Sequence, residues 1–480
     1  MSPSVDSTRY LELLPLTPLD QTSTRVYITN HLSFRLADPA SGLASLEDGV
    51  NQLFSALPML AGTIVPHVDD ESKYHVLPFI RESEEDSFLR VAHHDRSIST
   101  VQIPPWYPTQ DEDQGNKPLV SWNESCACLR PIADDEQKKP MLRFQANVMS
   151  DGVLLTMIYN HSVFDGTGAG IILEALGECC RGPKTDEHLS LLSQLARDEV
   201  KLRQVLLDSR PVGHLDIPDP KPTTANTASE NVSEKVSESP DIASPPTPIT
   251  RKFSFCPIRL GRLKSHCNSL LPSPILSTND VLTALLAIGM HEARGIPAPS
   301  GELIMAVNLR GRLHSLELSS YIGNLVTAVP VPLPPNSLSC ECEMKQDDLQ
   351  KVAQVASLIR QQVTSIDEQF VWKLIESKRL PNASAYTPSP FLVVVSSWRH
   401  MKTYSVDFGP ILGHIDTFEM DMPPFINSSV IMPQHMTKDP VWEVNITLAN
   451  NSSFDALAKS ALFHLEGESS VRTASGCSIL

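Results

Sequence analysis

The chain has 480 residues, of which 41% are hydrophobic and 20% are charged, and its formal net charge is −17. That length allows two domains of ordinary size, and the apolar fraction is sufficient for large cores. The negative charge argues against nucleic acid or an anionic membrane as a partner, because the chain offers neither of them a basic surface.

Targeting signals and cysteines narrow the class of protein further. Residues 1–10 contain no apolar run, and no segment is long enough to span a bilayer, so we expect neither a secretory signal nor a membrane span. The nine cysteines lack disulfide-framework or zinc-site spacing, which predicts a reducing, cytoplasmic setting. The C-terminal Cys477-Ser478-Ile479-Leu480 fits a prenylation box. Only Arg472 is basic nearby, so we favour a chance match.

The first 210 residues alternate between strand and helix patterns. Apolar residues at helical spacing predict an amphipathic helix from Ser45 to Ala56, which Pro58 and Gly62 stop. Residues 67–135 are mixed and acidic, with short strands. Further strands are predicted at Leu14–Thr17, Val26–Leu36 and Thr63–Pro66, and further helices at Ile171–Cys180 and Asp186–Leu207.

A predicted hairpin leads into the most informative stretch of the chain. Residues 141–149 alternate between apolar and polar, which is typical of a half-buried strand, and an apolar run follows at 152–159. Asp151-Gly152 between them accepts the positive φ of a tight turn. We therefore expect His161 at the end of the second strand and Asp165 one short loop later. A strand end holds a catalytic side chain rigidly, and the loop exposes it.

His161 and Asp165 form a His-x-x-x-Asp-Gly pattern that is weak when taken alone. An imidazole titrates near neutrality and suits proton abstraction from an alcohol or amine, although a histidine before a helix is more often structural. The carboxylate of Asp165 has two open roles: it orients the imidazole, or it turns away and pairs with a cation that braces the loop. One imidazole and one carboxylate leave a divalent ion short of ligands, so no metal site is predicted.

The composition changes sharply after Arg210. Residues 211–250 are rich in Pro, Ser, Thr and charge and nearly free of aromatics, and such a segment cannot bury enough surface to order itself. We interpret it as a flexible linker in preference to a docking site. The predicted division is an N-terminal domain at 1–210, the linker at 211–250 and a C-terminal domain at 251–480.

The second half also mixes strands and helices. Ser277 to Asp280 offer capping residues before a mostly apolar helix, Val281–Arg294. Ser452 is predicted to cap a last helix that ends at Leu465. Strands are predicted at Leu303–Val307, Leu325–Val331, Phe391–Ser397, Ile426–Met432 and Val441–Leu448, and helices at Arg259–Ser269, Asp347–Thr364 and Ile366–Ser377.

Short motifs occur along the whole chain. Asp407-Phe408-Gly409 suggests a protein kinase, but the chain has no Gly-rich loop, no strand lysine with a helix glutamate and no His-Arg-Asp loop. Seven segments, in the same order, instead resemble the BAHD-type coenzyme-A-dependent acyltransferases, particularly their fungal branch around the trichothecene acetyltransferases. They are Leu57–Gly62, His161–Gly166, Ser277–Leu286, Asn308–Arg310, Tyr321–Asn324, Ser396–Trp398 and Asp407–Gly409.

The ordered set favours a catalytic over a structural His161, although each segment is weak alone. One departure is Pro410, which stands where plant members carry tryptophan and resembles the fungal form. Another is Asn160, which stands where the related condensation domains carry a second histidine.

The resemblance implies an α/β fold of the chloramphenicol-acetyltransferase type, with two similar mixed-sheet domains flanked by helices and a channel at their interface. His161 then acts as general base in the channel, and Asp165 pairs with Arg310 behind it. Glycine is expected at position 166 because a side chain there would block the path of the backbone. Asp407 and Gly409 are expected to shape the coenzyme channel from a distance. The candidates for the channel and the oxyanion donor are Ser277, Ser396, Ser397 and Trp398.

The sequence thus predicts a monomeric O-acyltransferase without a tightly bound cofactor. It would use acetyl-CoA or another short acyl-CoA to acylate a hydroxyl of a small secondary metabolite, with an amine acceptor left open. No Ser or Cys occupies a nucleophile turn, so direct transfer without an acyl-enzyme is expected. Two alternatives stay open. One is a non-catalytic relative that binds a ligand or partner, and the other is a condensation-type enzyme that uses carrier-bound acyl groups.

Overall fold

A computed structural model describes most of both halves of the chain. The described ranges are 14–67, 73–78, 88–98, 139–182, 186–208, 248–272, 275–294, 300–335, 346–379, 391–421, 425–436, 441–460 and residue 463. The predicted linker lies outside them except for residues 248–250, and so do Cys477 and most of the acidic region. Within these ranges no helix is both long and apolar enough to cross a membrane.

The first half supplies four helices and eight strands among its described residues. The helices are α1 (Pro18–Thr22), α2 (Pro39–Ala56), α3 (Gly166–Cys180) and α4 (Asp186–Asp208). The strands are β1 (Leu14–Pro15), β2 (Tyr27–Arg35), β3 (Thr63–Pro66), β4 (Tyr74–Leu77), β5 (Leu89–His93), β6 (Lys139–Pro140), β7 (Leu142–Met149) and β8 (Gly152–Asn160).

Capping residues explain where two predictions in this half were wrong. Helix α2 begins at Pro39 rather than Ser45, because the Asp38 carboxylate accepts the backbone N–H groups of Ala40 and Ser41. The strand predicted through Thr17 ends at Pro15, because the Thr17 hydroxyl caps α1. The hairpin of β7 and β8 is confirmed, and Gly152 at its turn has a φ of 154°.

The second half supplies six helices and seven strands among its described residues. The helices are α5 (Pro257–Ser269), α6 (Thr278–Glu292), α7 (Gln346–Ser365), α8 (Glu368–Ser377), α9 (Gly409–Leu412) and α10 (Asn451–Lys459). The strands are β9 (Ile249–Phe255), β10 (Gly301–Asn308), β11 (Val326–Leu333), β12 (Leu392–Ser397), β13 (Thr417–Asp421), β14 (Ser428–Ile431) and β15 (Trp442–Leu448).

The last helix differs from its prediction at both ends. Its cap is Asn450 rather than Ser452, because the Asn450 side chain accepts the N–H of Ser453, and it ends at Lys459.

The strands form three sheets, and one strand from the second half of the chain belongs to the sheet of the first half. The five-stranded sheet has the order β13-β2-β8-β7-β5, the six-stranded sheet β11-β10-β12-β14-β15-β9, and a small sheet β1-β4-β3-β6. Strand β13 was not predicted. It pairs antiparallel with β2, with Asp421 opposite Thr29, so a strand from the second half completes the sheet of the first. The predicted boundaries of two separate domains do not include this crossing.

Each large sheet packs one face on helices and leaves the other face more polar. Helices α2 and α3 cover the apolar face of the five-stranded sheet, and α6 and α7 lie on the six-stranded one. Strands alternate their side chains, so Thr29, His31 and Ser33 of β2 lie on the face opposite Ile28, Leu32 and Phe34. An ion pair between Lys252 of β9 and Glu419 of β13 joins the two sheets on their polar faces.

Candidate active site

His161 lies one residue beyond β8, as predicted. Its backbone N–H donates to the carbonyl of Val26 at 2.8 Å, and its carbonyl accepts from Nδ2 of Asn324 at 3.0 Å. Contacts from both halves of the chain therefore fix its backbone. The Nδ1 atom of its imidazole is buried and has no hydrogen-bond partner in the described structure.

Asn160 shapes the turn that carries His161. Its side-chain oxygen accepts the backbone N–H of Ser162 at 3.0 Å and the Ser162 hydroxyl at 2.6 Å. A side-chain acceptor that satisfies a backbone donor two residues on stabilises a tight turn. Asn160 therefore has a structural task at the position where condensation domains carry their additional histidine.

Asp165 is fully occupied by partners other than His161. Its carboxylate forms a bidentate pair with Arg310, at 2.8 Å to Nη1 and 3.1 Å to Nη2. It also accepts the backbone N–H groups of Gly168 at 2.8 Å, which caps α3, and of Leu325 at 2.9 Å. The predicted contact with Arg310 is thus present, and the geometry matches a brace rather than an orienter of the imidazole.

Arg310 also binds the backbone of the loop that contains Asn324. Its Nε donates to the carbonyl of Tyr321 at 2.9 Å and its Nη2 to that of Gly323 at 2.8 Å. The side chain is only 6% exposed, and a further bond from Nη1 to Oδ1 of Asn308 at 3.3 Å brings all five of its N–H donors into hydrogen bonds. Residues 321–325 are therefore fixed to the start of α3 and, through Asn324, to His161.

A second buried ionic cluster, which the sequence did not reveal, fixes the same loop from the first half. Arg203 of α4 pairs with Asp20 at 2.6 Å and with Glu199 at 2.7 Å. Asp20 accepts the N–H of Asn324 at 2.9 Å, and Glu199 accepts that of Ile322 at 2.8 Å. Burial raises the pKa of Glu199 despite the nearby guanidinium.

Two local signals could have pointed to this cluster. Thr17 and Asp20 have the spacing of a capping box, and Glu199 and Arg203 are four residues apart on one helix face. Neither signal says that the groups are buried or which loop they reach.

Gly166 is needed for a close packing contact. A Cβ at this position would lie 2.9 Å from Cε2 of Trp398, closer than real Cβ contacts. Its φ is not positive, so the requirement for glycine comes from this contact and not from a left-handed backbone. The ring of Trp398 therefore lies directly against the start of α3. The backbone N–H of Trp398 donates to the carbonyl of Ile431 at 2.8 Å.

The three candidate serines occupy different environments. Ser277 caps α6, since its hydroxyl accepts the N–H of Asp280 at 3.2 Å. Ser396 is half-buried and lies opposite Val430, whose side chain packs in the core of the first half, whereas Ser397 is exposed. No hydrogen bond joins any of them to residues 161–166 in the described ranges. The alternation of β12 favours Ser396 as the serine that faces the other sheet.

Asp407 and Gly409 hold the far end of α3. The Asp407 carboxylate accepts the N–H of Gly409 at 2.9 Å, and its carbonyl accepts from Nε of Arg181 at 2.8 Å. Gly409 has a φ of 93°, and a Cβ on it would lie 2.8 Å from Cα of Arg181. The second half of the chain thus contacts both ends of α3, at Asp165 before its first residue and at Arg181 after its last.

Comparisons with known proteins assign the class. A model of the Transferase family matches residues 123–454, and a model of the trichothecene 3-O-acetyltransferase-like N-terminal domain matches residues 26–180. The chain therefore belongs to the Transferase family, in agreement with the predicted resemblance to BAHD-type acyltransferases. Within it, the chain is an acyltransferase that is similar to fungal O-acetyltransferases.

Individual relatives cover nearly the whole chain. It is 32% identical to fumigaclavine B O-acetyltransferase of Aspergillus fumigatus, over 93% of this chain and 96% of that protein. It is 30% identical to communesin N16 acyltransferase of Penicillium expansum, over 91% of this chain and 94% of that protein.

Solved structures show the same fold. TRI101 of F. sporotrichioides, complexed with coenzyme A and T-2, matches with a TM-score of 0.65 at 20% identity, over 93% of this chain and 97% of that one. Vinorine synthase matches with a TM-score of 0.57 at 16% identity, over 94% and 92% of the two chains. The predicted α/β fold of the chloramphenicol-acetyltransferase type is confirmed.

Proposed function

We propose that this protein transfers an acetyl or another short acyl group from coenzyme A to a hydroxyl of a fungal-type secondary metabolite. The observation that carries the proposal is the geometry of His161, whose backbone is fixed by both halves while the buried Nδ1 has no hydrogen-bond partner among the described residues. The names of the relatives support acyl transfer, and TRI101 is a structural neighbour complexed with coenzyme A. An amine acceptor stays open, because one relative is named for acylation at N16.

In the proposed mechanism His161 acts as general base and then as general acid. It takes the proton of the acceptor hydroxyl as the oxygen attacks the thioester carbonyl and the C–O bond forms. The tetrahedral intermediate collapses, the C–S bond breaks, and the imidazolium returns its proton to the departing thiolate. Ser396 is the proposed hydroxyl donor to the oxyanion, and such a donor contributes on the order of 3 kcal/mol to the transition state.

The remaining site residues hold the loop that carries His161 in place. Asp165 and Arg310 hold the loop between β8 and α3, and Trp398 covers its start. We further propose that the enzyme is a cytoplasmic monomer built from two domain-like halves. The free cysteines Cys179, Cys180 and Cys267, all buried, fit a reducing setting.

Replacement of His161 tests the mechanism. His161→Ala should lower turnover by about two to four orders of magnitude, the usual contribution of acid–base catalysis, while calorimetry should give unchanged binding of coenzyme A. His314→Ala, at an exposed histidine, is the matched control and should keep normal turnover. Near-normal turnover of His161→Ala would contradict the assignment.

The same assay separates the alternative functions. Wild-type protein is incubated with acetyl-CoA and a panel of alcohols, and free thiol and acetylated product are measured. A non-catalytic relative would release no thiol with any acceptor. A condensation-type enzyme would accept an acyl group only from a carrier protein.

A further inference from the structure

The polar faces of the two large sheets share a patch of acidic and amide side chains. On β13, Glu419 and Asp421 alternate with Phe418 and Met420, which pack in the core of the first half. On β15, Glu443 and Asn445 alternate with residues of the other core. The Lys252–Glu419 ion pair joins the two sets, and Lys252 lies opposite Asn445. These five residues, Lys252, Glu419, Asp421, Glu443 and Asn445, form the inter-sheet patch.

Several acceptor atoms of the patch are buried without a hydrogen-bond donor. Oε2 of Glu419 and Oδ1 of Asn445 have none in the described ranges, and Asn445 is 0% exposed. Oδ1 of Asp421 is also buried, and the nearest basic atom is Nε2 of His31 at 3.3 Å. Buried acceptors are normally satisfied, so this concentration of spare oxygens points to a ligand that brings N–H donors.

The charge of the patch points the same way. Glu419, Asp421 and Glu443 supply three carboxylates, and Lys252 is the one permanent cation among the five residues. Outside the patch, Arg399 interacts electrostatically with Glu443, so two permanent cations, Lys252 and Arg399, face three carboxylates. Burial raises the pKa of Glu419 although its pairing with Lys252 opposes that rise, so Lys252 compensates the ionised form only in part. A second cation placed beside it would supply that compensation.

The register of the sheet places the patch within reach of His161. Asp421 lies opposite Thr29, and Asn160, the last residue of β8, lies opposite Tyr27. Two residues along a strand and two strands across place the Cα of Asp421 about 12 Å from that of Asn160, the residue before His161. A polycyclic molecule can span that distance, with one end at the patch and the other at the imidazole.

We propose that the acceptor carries a basic nitrogen, which Glu419, Asp421 and Asn445 bind as a cation while the hydroxyl at the opposite end of the molecule reaches His161. This inference rests on the proposed function and names the class of its acceptor: a rigid, polycyclic amino alcohol. Glu419 and Asp421 act in binding and positioning, and the chemistry of the transfer stays with His161.

A matched pair of probes tests the inference by direct binding. One is a rod-shaped alcohol in which cyclohexanol is linked to N-methylpiperidine, and the other is the neutral isostere with methylcyclohexane in place of the amine. Calorimetry without acyl-CoA should show that the wild-type protein binds the amine about 10- to 100-fold more tightly, the scale of hydrogen bonds to charged groups. Asp421→Asn and Glu419→Gln should each reduce that preference about tenfold. Glu47→Gln, at an exposed position of α2, should retain it.

The outcomes separate this inference from the proposed function. Equal binding of the two probes by wild-type protein, or an undiminished preference in both folded variants, would overturn the amine site. If Glu419→Gln fails to fold because Lys252 loses its partner, Asp421→Asn still decides. A clear binding preference without acetyl transfer to either probe would support the amine site and count against the proposed function. Equal acetyl transfer to both probes would support the proposed function and count against the amine site.

Discussion

Asp165→Asn is the sharpest test of how the two halves are held together at the site. The carboxylate accepts four hydrogen bonds, two from Arg310 and one each from the N–H groups of Gly168 and Leu325. Asparagine has nearly the same shape but one oxygen, so its amide NH₂ must face two of these donors in either orientation. Arg310 would then stay buried without its counter-charge.

The expected loss follows from these contacts. Removing one partner of a buried ion pair costs about 3–5 kcal/mol, because the other charge is left uncompensated. Unfolding entropy of about 2.1 cal/mol/K per residue gives about 1 kcal/mol per degree for a chain of 480 residues. Asp165→Asn and Arg310→Met should therefore each lower Tm by about 3–5 °C. Glu174→Gln on the same helix, in a pair at 4.0 Å with Lys402 on the surface, should change the stability by less than about 0.5 kcal/mol.

The double variant decides whether the pair exists as such in solution. With both charges removed neither is stranded, so the loss for Asp165→Asn/Arg310→Met should be smaller than the sum of the single losses by about 0.5–3 kcal/mol. Melting curves and denaturant titrations measure this difference. Strictly additive losses would refute the pair. A normally stable Asp165→Asn protein with slow turnover would instead show that Asp165 orients the imidazole.

Two further predictions concern close packing and buried thiols. Gly168→Ala should lower the free energy of unfolding by about 1–3 kcal/mol, because its Cβ would overlap the carbonyl oxygen of Ile322. The Cβ of Gly170→Ala would meet only the flexible end of Met401, at 3.2 Å, so this variant should be neutral or stabilising. Melting curves measure both, and equal effects of the two variants would contradict the packing argument. Burial raises the pKa of Cys267 to about 11 and of Cys179 to about 12, so at pH 8 iodoacetamide should label both more slowly than the half-buried Cys256, and labelling of Cys267 should rise about tenfold per pH unit towards pH 11. Mass spectrometry at each site measures these rates, and rates for native Cys267 that equal those in urea would refute the burial argument.

The sequence predicts local features well and long-range partners poorly. Alternation and an Asp-Gly turn are enough to place His161 at a strand end, because both depend on adjacent residues. The partner of Asp165, 145 residues away, follows only from resemblance to a family. Asp20 and Arg203 are 183 residues apart and carry no pattern that says they meet. Strand β13 was missed because a five-residue segment is stabilised as a strand by its neighbour β2, which no local signal reveals.

The crossing of β13 matters for anyone who exchanges halves between relatives to change acceptor preference. A junction placed near residue 250 transfers Thr417–Asp421 together with the second half, so the chimera receives a foreign edge strand in its first sheet. It also receives Phe408, whose ring lies 5.0 Å from that of Phe34 in an edge-to-face contact. Such a hybrid must match the incoming strand to Tyr27–Arg35 before its substrate pocket can be assessed. The unit of exchange is therefore the second half together with β2.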